Sequence, residues 1–328
     1  MYMLIIYFTS NNLCLIVSDK GVLTMNMTML ILHRLFLMLL YIIPGYVLYK
    51  KQIISDEGAR DLGKLLLYLI LPAAIINSYN IPFSTQKAWG LLISFLAAAL
   101  SLFLSILVSR ILFGKKKPLE CFGAAFSNAG FMGIPLVQSV IGADAVYYAA
   151  AFVALLNILQ WTYGVYIITG DRKTVSLKKI LFNPVLISFF IGIVLFLLPV
   201  RLPDIVTELM GTIAGMNAPV AMLIIGMYLA QIPFLSLFRD LLSYKASFVR
   251  LFLIPALTLL LLAVLPWGDS NLKQTILILA AAPVGSNVAV YARLYHADYK
   301  QAVKEVLLST LLCIASMPLL IGLSGYIL

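Results

Sequence analysis

Ser127-Asn128-Ala129-Gly130-Phe131-Met132-Gly133-Ile134-Pro135 lies inside an apolar segment, 119–141, that is long enough to cross a bilayer. The stretch is a poor α-helix, because it holds two glycines, a proline and an asparagine within nine residues. Pro135 lacks a backbone N–H and clashes with the carbonyl group of Phe131, so the sequence predicts a lost helical hydrogen bond there. Unpaired backbone groups are costly in hydrocarbon, and a broken membrane helix is therefore tolerated only against other helices or along a cavity.

A second break of the same kind follows about 150 residues later, at Ala281-Ala282-Pro283-Val284-Gly285-Ser286-Asn287. It also combines a proline and a glycine with polar side chains inside an apolar segment. We expect the two breaks to meet inside the protein and to form a binding site there.

The composition predicts a polytopic membrane protein. Of 328 residues, 62% are hydrophobic and 11% are charged, whereas soluble proteins have about 25% charged residues. The formal net charge of +10 does not indicate a nucleic-acid partner, because the basic residues lie in loops between apolar runs. The three cysteines are scattered, which argues against a disulfide framework and against a cysteine-based metal site.

Ten membrane-spanning segments with short loops are predicted. Residues 1–26 precede the first convincing span and are interpreted as a disordered or mis-started extension, because they lack the basic region and cleavage site of a signal peptide. Five spans fill 27–169, a short basic linker covers 170–179, and five more spans fill 180–328. The predicted spans are 29–49, 61–79, 87–113, 118–141, 145–169, 180–199, 205–231, 241–265, 272–295 and 299–328.

Loop charge indicates the orientation. Most lysines and arginines fall in the loops that follow the odd-numbered spans, and such an excess marks cytoplasmic loops. We expect a multi-pass protein of the plasma membrane with both termini outside and the basic loops in the cytoplasm. Arg250 lies inside the eighth span near its inner end, and we expect its side chain to snorkel to the inner surface.

The two halves of the chain resemble each other. Leu71-Pro72-Ala73-Ala74-Ile75 and Ile81-Pro82-Phe83 are echoed by Ala218-Pro219-Val220-Ala221-Met222 and Ile232-Pro233-Phe234 at a spacing of about 150 residues, which is also the spacing of the two breaks. Because five is an odd number of spans, two such halves run through the membrane in opposite directions. An inverted five-plus-five repeat with interrupted helices at matching positions is typical of a secondary transporter.

With these motifs the chain resembles the auxin efflux carrier (AEC) family, the PIN-like group of the bile-acid/auxin carrier superfamily. The resemblance covers about residues 29–328 and rests on Leu71-Pro72-Ala73, on the more specific stretch from Asn128 to Pro135, and on Ala281-Ala282-Pro283. It implies an all-α polytopic fold with a scaffold domain of spans 1, 2, 6 and 7 and a transport domain of spans 3–5 and 8–10. It also implies that the proline-broken spans 4 and 9 cross at their prolines.

The same resemblance implies organic-anion substrates, which for bacterial relatives are malate, malonate and similar carboxylates. Plant members of the family carry a long cytoplasmic loop between the halves. The linker 170–179 is short, so regulation by such a loop is not implied here.

The broken helices offer an anion site without a buried cation. Each break starts a half-helix near a proline, whose unpaired N–H groups and positive dipole end point towards mid-membrane. Two such ends attract an anion, and neighbouring amide and hydroxyl groups can donate to a carboxylate. The predicted substrate-binding residues are Asn128, Gly130, Gly133, Pro135, Pro283, Gly285, Ser286 and Asn287, with Gln138, Asn157 and Gln160 as further candidates.

Structural interpretations of the same residues stay open. Proline and glycine are common in membrane helices, and Asn157 and Gln160 can equally bond neighbouring helices together. Asn77 and Asn217 are interpreted as packing or capping residues. Asp144 and Asp298 sit at predicted helix ends and are expected to cap the helices that follow.

The acidic residues bear on coupling. No Asp or Glu falls in the middle of a predicted span, since Glu120 and Glu305 lie near span ends. Proton relays in membranes use buried titratable carboxylates, so an internal relay is not favoured. The sequence predicts no cofactor and no metal site, and it leaves coupling to Na⁺ or H⁺ open.

The pattern favours a secondary active or facilitative transporter of a small organic anion, a carboxylate such as malate or malonate or an auxin-like acid, that works by alternating access. The alternative is a sodium-coupled symporter of bile-acid-like or other organic solutes. An enzyme is not expected, because no nucleophile–base pair is predicted at depth, and a channel is not favoured, because no ring of charges is visible. The expected partners are the substrate anion and the lipid bilayer, without nucleic acid and with a homodimer left open.

Overall fold

The N-terminal stretch forms a small sheet ahead of the helices. The structure, a computed structural model, describes residues 5–8, 14–18, 21–25, 27–198 and 201–328. Three strands, Ile5–Phe8 (β1), Cys14–Ser18 (β2) and Gly21–Met25 (β3), pair antiparallel in the order β1-β2-β3. The expectation of a disordered or mis-started extension stays a prediction, since residues 1–4, 9–13, 19, 20 and 26 lie outside the described residues.

From Met27 onwards the described chain is helical, as predicted. Four π-helical turns, Leu66–Ile70, Ala129–Gly133, Gln160–Gly164 and Val249–Leu253, join the parts of interrupted helices. The α-helices are Met27–Lys50 (α1), Asp56–Leu65 (α2), Leu71–Ser78 (α3), Thr85–Phe113 (α4), Pro118–Ala125 (α5), Ile134–Val140 (α6), Val146–Leu159 (α7), Val165–Thr169 (α8), Leu177–Leu181 (α9), Pro184–Leu197 (α10), Asp204–Gly215 (α11), Asn217–Ala230 (α12), Leu241–Phe248 (α13), Ile254–Val264 (α14), Ser270–Ala281 (α15), Asn287–Leu294 (α16) and Tyr299–Ser324 (α17).

Six helical stretches of the described chain are long and apolar enough to cross a membrane. They are Met27–Lys50, Thr85–Phe113, Ala143–Thr169, Asp204–Ala230, Leu241–Val264 and Tyr299–Ser324. They coincide with predicted spans 1, 3, 5, 7, 8 and 10. The other four predicted spans fall on interrupted or shorter helices, such as Ala129–Val140 and Pro184–Leu197. The count of ten spans and the five-plus-five repeat therefore stay predictions.

Helix starts follow the capping residues of the sequence. The side chain of Asp298 accepts the N–H of Gln301 at 3.0 Å and caps α17, as predicted. Asp144 does not act as a cap: it lies inside a short 3₁₀ turn, Ala143–Ala145, and no side-chain bond closes the start of that turn or of α7. The prediction for Asp144 is wrong, because the 3₁₀ turn precedes α7 and places Ala145, not Asp144, at the residue before the helix.

The helices pack as two groups. In one group α1 lies along α12, and α3 packs against α10 and α11. In the other, α4, α5, α7 and α13 to α17 pack against one another. The groups touch mainly where α1 meets α17 and α7 meets α10.

The closest approach inside the first group is between α1 and α12. A methyl group built on Gly45 would collide with the backbone of Leu223, and one on Gly226 would collide with the backbone carbonyl of Ile42. Small residues let membrane helices approach backbone to backbone in this way.

Candidate functional site

The two breaks of the chain meet, as the sequence predicted. Ser127 and Val284 form an isolated antiparallel bridge between them. The N–H of Asn128 donates to the carbonyl oxygen of Pro283 at 2.7 Å, and the N–H of Gly285 donates to that of Phe126 at 3.0 Å. Each break therefore satisfies backbone groups of the other, which is the condition for non-helical backbone at membrane depth. We call the two paired breaks, residues 126–128 and 282–286, the crossing.

The first break lies before Pro135 rather than at it. α5 ends at Ala125, the non-helical residues 126–128 follow, and a π-helical turn, Ala129–Gly133, leads into α6. Pro135 occupies one of the first two positions of α6, where it fits the helical geometry. The prediction that the first break falls at its proline is wrong, because pairing with the second break fixes its place. Pro283 does lie inside the second break.

At two predicted site residues, Gly285 and Gly133, glycine is required because another segment of the chain approaches closely. A methyl group on Gly285 would lie 3.0 Å from the carbonyl oxygen of Ser127, and one on Gly133 would lie 2.7 Å from Cδ2 of Leu279. Gly130 has more room, with the nearest side-chain atom at 3.3 Å. These glycines thus serve the packing of the crossing.

Asn128 and its neighbour Ser127 carry unused polar groups at the crossing. Both are buried, with 4% and 2% of their surface exposed. The amide nitrogen of Asn128 and the hydroxyl of Ser127 have no hydrogen-bond partner among the described residues. Ser286, at the start of α16, is buried too, and its side chain does not cap that helix. The crossing therefore holds hydrogen-bonding groups that the fold itself does not use.

Gln160 and Asn287 are brought together, whereas Asn157 is not. Nδ2 of Asn287 donates to Oε1 of Gln160 at 2.9 Å, which joins the start of α16 to the π-helical turn after α7. Gln160 is fully buried, and its Nε2 has no partner in the described ranges. Asn157 instead donates to the carbonyl oxygen of Val153 in its own helix at 2.9 Å. Two of the three thus form a polar pair next to the second break.

Asn217 ties the first group of helices to the first break. It stands at the start of α12 and is buried. Its Nδ2 donates to the carbonyl oxygen of Gly130 at 3.0 Å. This bond fits the predicted packing role and also supports the π-helical turn that follows the break.

Arg250 is buried at the crossing, and the prediction that it snorkels to the surface is wrong. Only 1% of the residue is exposed. Nη1 donates to the carbonyl oxygens of Ala124 and Ala125 at 3.0 and 3.2 Å, and Nη2 donates to that of Ala280. These carbonyl groups lie at the C-terminal ends of α5 and α15, where each helix carries a partial negative charge. The guanidinium reaches both ends because the crossing places them side by side.

Glu305 is also buried, so the expected lack of a buried carboxylate is wrong. It lies on α17 with no exposed surface, and neither carboxylate oxygen accepts a hydrogen bond from the residues described. Its Oε2 faces Gly123 on α5, where a methyl group would collide with it. Glu120, on the same helix, is 6% exposed. Both positions are near predicted span ends, but neighbouring helices cover them.

Two cavities lie between the helix groups, each beside the helix that follows one break. The larger, about 560 Å³, is lined by Arg34, Pro135, Gln138, Ser139 and Pro219, among others. The smaller, about 230 Å³, is lined by Arg60, Tyr228, Gln231, Ala289 and Arg293, among others. Because the bridge at the crossing is antiparallel, α6 and α16 leave it in opposite directions, which puts the cavities on opposite sides of the crossing.

Both cavities are lined by arginine side chains, Arg34 in the larger and Arg60 and Arg293 in the smaller. Nε of Arg34 is buried and has no partner within the described part of the chain. The guanidinium of Arg293 lies over the ring of Tyr299 at 4.2 Å from its centroid. Guanidinium groups are suited to carboxylates. For Arg34, the signal available in the sequence was its position inside an apolar segment.

The chain matches the family described as "Membrane transport protein" over residues 30–321. It is 26% identical over 296 residues to an uncharacterized transporter of Methanothermobacter thermautotrophicus, covering 86% of this chain and 94% of the relative. It is 23% identical over 310 residues to an uncharacterized transporter of Methanocaldococcus jannaschii, covering 89% and 97%. It is 26% identical over 208 residues to a protein of Rhizobium meliloti named "Putative malonate transporter", covering 61% and 64%.

Proposed function

Because the chain belongs to the membrane transport protein family, that of the auxin efflux carriers, we propose that it is a secondary active or facilitative carrier of a small organic anion. The observation that carries the proposal is the crossing itself, with an arginine-bearing cavity on each side of it. Two cavities separated by a paired break give access to one site from alternate sides of the membrane.

The four helix ends at the crossing explain why an anion is favoured. α5 and α15 end there, and α6 with its preceding turn and α16 begin there. The negative ends of the first pair are covered by the guanidinium of Arg250. The positive ends of the second pair remain, and helix N-termini bind anions through their free N–H groups. The field at the crossing is therefore positive overall.

The substrate class follows from the donors near these ends. Asn128, Ser127 and Gln160 offer hydrogen-bond donors without a fixed charge, so the emptied site leaves no unpaired ion behind during the return step. A small carboxylate matches such a set. The name of the Rhizobium meliloti relative makes malonate the first substrate to test.

We place the protein in the plasma membrane with both termini outside and the basic loops in the cytoplasm. In that orientation the cavity with Arg34 opens outward, and the cavity with Arg60 and Arg293 opens to the cytoplasm. An anion then meets an arginine on either side before it reaches the crossing, which raises its local concentration there.

The test is uptake by proteoliposomes of malonate, malate, lactate, indole-3-acetate and taurocholate, with sodium or choline as the cation. Asn128→Ala and Asn287→Ala are compared with the parent and with Gln86→Ala, a control amide at the exposed start of α4. We expect saturable uptake with counterflow of one carboxylate, reduced about tenfold in Asn128→Ala and in Asn287→Ala and unchanged in the control. Full uptake by both of these variants would refute the site, and non-saturating flux would refute a carrier.

A further inference from the structure

Glu305 carries a buried carboxyl group for which the fold supplies no hydrogen-bond donor. It lies on α17, has no exposed surface, and neither of its side-chain oxygens accepts a hydrogen bond from the residues described. The ion pairs found in the described ranges, Arg60–Glu57 and Lys64–Asp61, do not include it. An isolated ionised carboxylate is very costly in such surroundings, whereas a protonated one is far less so. Burial of this kind favours the neutral, protonated form.

The charged groups around Glu305 favour the same form. The titratable groups whose charge acts on it are Glu120 on α5 and Asp240 at the start of α13, and both are acidic. The basic residues on the helices that pack against α17 are engaged elsewhere or exposed: Arg34 and Arg239 line cavities, Lys50 lies over the ring of Tyr46 and Arg293 over that of Tyr299, Lys245, Arg250 and Lys273 donate to backbone carbonyls, and His33 is exposed.

The carboxyl group lies beside the crossing. A methyl group built on Gly123 would collide with Oε2 of Glu305 and would lie 3.2 Å from Cγ1 of Val284, so both side chains border the same point of α5. Four residues further along α17, the hydroxyl of Ser309 accepts the N–H of Val284 at 3.1 Å. Residues four apart share one face of a helix. Glu305 and the second break are therefore neighbours.

A cavity lies one helical turn away from Glu305 in the other direction. Gln301 lines this cavity, of about 440 Å³, together with Asp240 and Lys304. Nε2 of Gln301 donates to Oδ2 of Asp240 at 2.5 Å. In the proposed orientation the cavity opens to the cytoplasm, because it lies among the basic loops. A proton has about 5.4 Å, one turn of helix, to cross between Glu305 and this cavity.

We propose that Glu305 is a proton-binding site whose occupancy is linked to that of the anion at the crossing, so that the carrier moves one proton with each organic anion. The inference rests on the proposed carrier function and adds the ion that drives it. An ionised Glu305 repels an anion at the crossing, and the neutral form does not. By linkage, a bound anion favours protonation of Glu305 by the same factor as the proton favours the anion. The O–H bond that forms on one side of the membrane breaks on the other, and the proton returns to water.

Substitutions at Glu305 separate the proton site from its shape. Glu305→Gln is neutral at every pH and nearly isosteric, and Glu305→Asp keeps a titratable carboxyl group. Glu208→Gln is the matched control, since Glu208 is exposed on α11. Proteoliposomes are loaded with a pH-sensitive dye, the membrane potential is clamped with potassium and valinomycin, and malonate is the probe. Liposomes without protein give the baseline.

We expect the parent and Glu208→Gln to accumulate malonate up to about tenfold when the interior is about one pH unit more alkaline than the outside. Their interior should become more acidic as malonate enters. Glu305→Gln should show neither effect, while its counterflow exchange of malonate stays measurable, because exchange moves no net proton. Accumulation by Glu305→Gln equal to that of the parent would overturn the proposal, as would a parent whose uptake does not respond to the pH gradient.

If Glu305→Gln loses counterflow as well, Glu305→Asp decides. Accumulation of malonate by Glu305→Asp under the pH gradient supports a proton site at this position, and its absence overturns that site.

Infrared spectroscopy tests the proton on Glu305 without transport. At neutral pH the parent and Glu208→Gln should show the carbonyl band of a protonated carboxyl group, and the band should be weaker in Glu305→Gln. A band of equal strength in all three proteins would overturn the proposal. If the parent transports none of the acids, the proposed substrate class fails, and the infrared spectra still decide whether Glu305 holds a proton.

Discussion

The amide of Asn287 donates to the side-chain carbonyl of Gln160 at 2.9 Å, so the helix that starts at the second break is fastened to the π-helical turn between α7 and α8. Neither residue contributes to the backbone pairing of the crossing. The bond places a buried, unused N–H of Gln160 beside the start of α16. This pair is the most direct place to ask whether side chains near the crossing act together.

The Asn287–Gln160 pair should behave as one unit in a double-mutant cycle. Asn287→Ala and Gln160→Ala should each lower uptake by about tenfold, and the double variant should lose little more than the worse single variant, because either change breaks the same bond. Uptake kinetics of the four proteins measure the coupling. Losses that multiply would show two independent roles.

Arg34 should act from one side only. Arg34→Gln removes the positive charge of the larger cavity and should raise the KM for an organic anion about tenfold when substrate is offered from that side, with little effect from the other. Inside-out and right-side-out vesicles separate the two directions. His33→Gln, at the exposed neighbouring position, is the control. An equal effect in both directions would contradict access through this cavity.

Gly285→Ala should unfold the crossing. The added methyl group would lie 3.0 Å from the carbonyl oxygen of Ser127, and a backbone atom cannot move away without breaking the bridge. We expect a loss of about 1–3 kcal/mol in stability, read as a lower melting temperature with loss of transport. Gly63→Ala, in open space within α2, is the control and should be neutral or stabilising. A stable, active Gly285→Ala protein would refute the tight pairing.

Asp240 gives the fold a dependence on acidity. Burial raises the pKa of its carboxyl, but hydrogen bonds from Ser243, Gln301 and Leu242 and the charge of Lys304 outweigh the burial and hold that pKa below the ordinary value of 3.8. A group whose pKa is depressed by folding stabilises the protein above its unfolded pKa and loses that contribution as the pH falls through the folded value.

We therefore expect the melting temperature of the parent to fall more steeply than that of Asp240→Asn when the pH falls below about 4. At neutral pH the variant should be the less stable of the two, because it accepts fewer hydrogen bonds and lacks the charge near Lys304. Melting curves across this range test the expectation. Parallel curves for the two proteins would contradict it.

Glu305→Gln should be tolerated. Glutamine has nearly the shape of the glutamate side chain and buries no charge, and the interior around Oε1 and Oε2 offers no hydrogen-bond partner among the described residues. The melting temperature at neutral pH should equal or exceed that of the parent, as it should for the exposed control Glu208→Gln. A fall of several degrees in Glu305→Gln alone would show that the ionised carboxylate is needed.

The sequence was informative where the deciding chemistry is local. Proline, glycine and asparagine inside apolar segments identified both breaks, and the apolar runs located helices such as Thr85–Phe113 and Leu241–Val264 within a few residues. Membership of the auxin efflux carrier family is confirmed by the match over residues 30–321.

The sequence was misleading where a residue far away in the chain determines the position of a break or the burial of a side chain. The first break falls at 126–128 because Val284 pairs there, and no property of Pro135 reveals that. Arg250 and Glu305 looked peripheral because their distance from a span end was counted along the chain, while their burial depends on helices α5, α15 and α17. An ionisable residue inside an apolar segment was the signal that should have been followed.

The interlocked glycines of α1 and α12 limit how the molecule can change shape. Each helix carries a notch, at Gly45 or Gly226, that is filled by the main chain of the other. Sliding one helix past the other by a single residue, about 1.5 Å, would drive a side chain into a filled notch. These two helices thus form a fixed frame. A displacement during a transport cycle is therefore expected in helices other than α1 and α12.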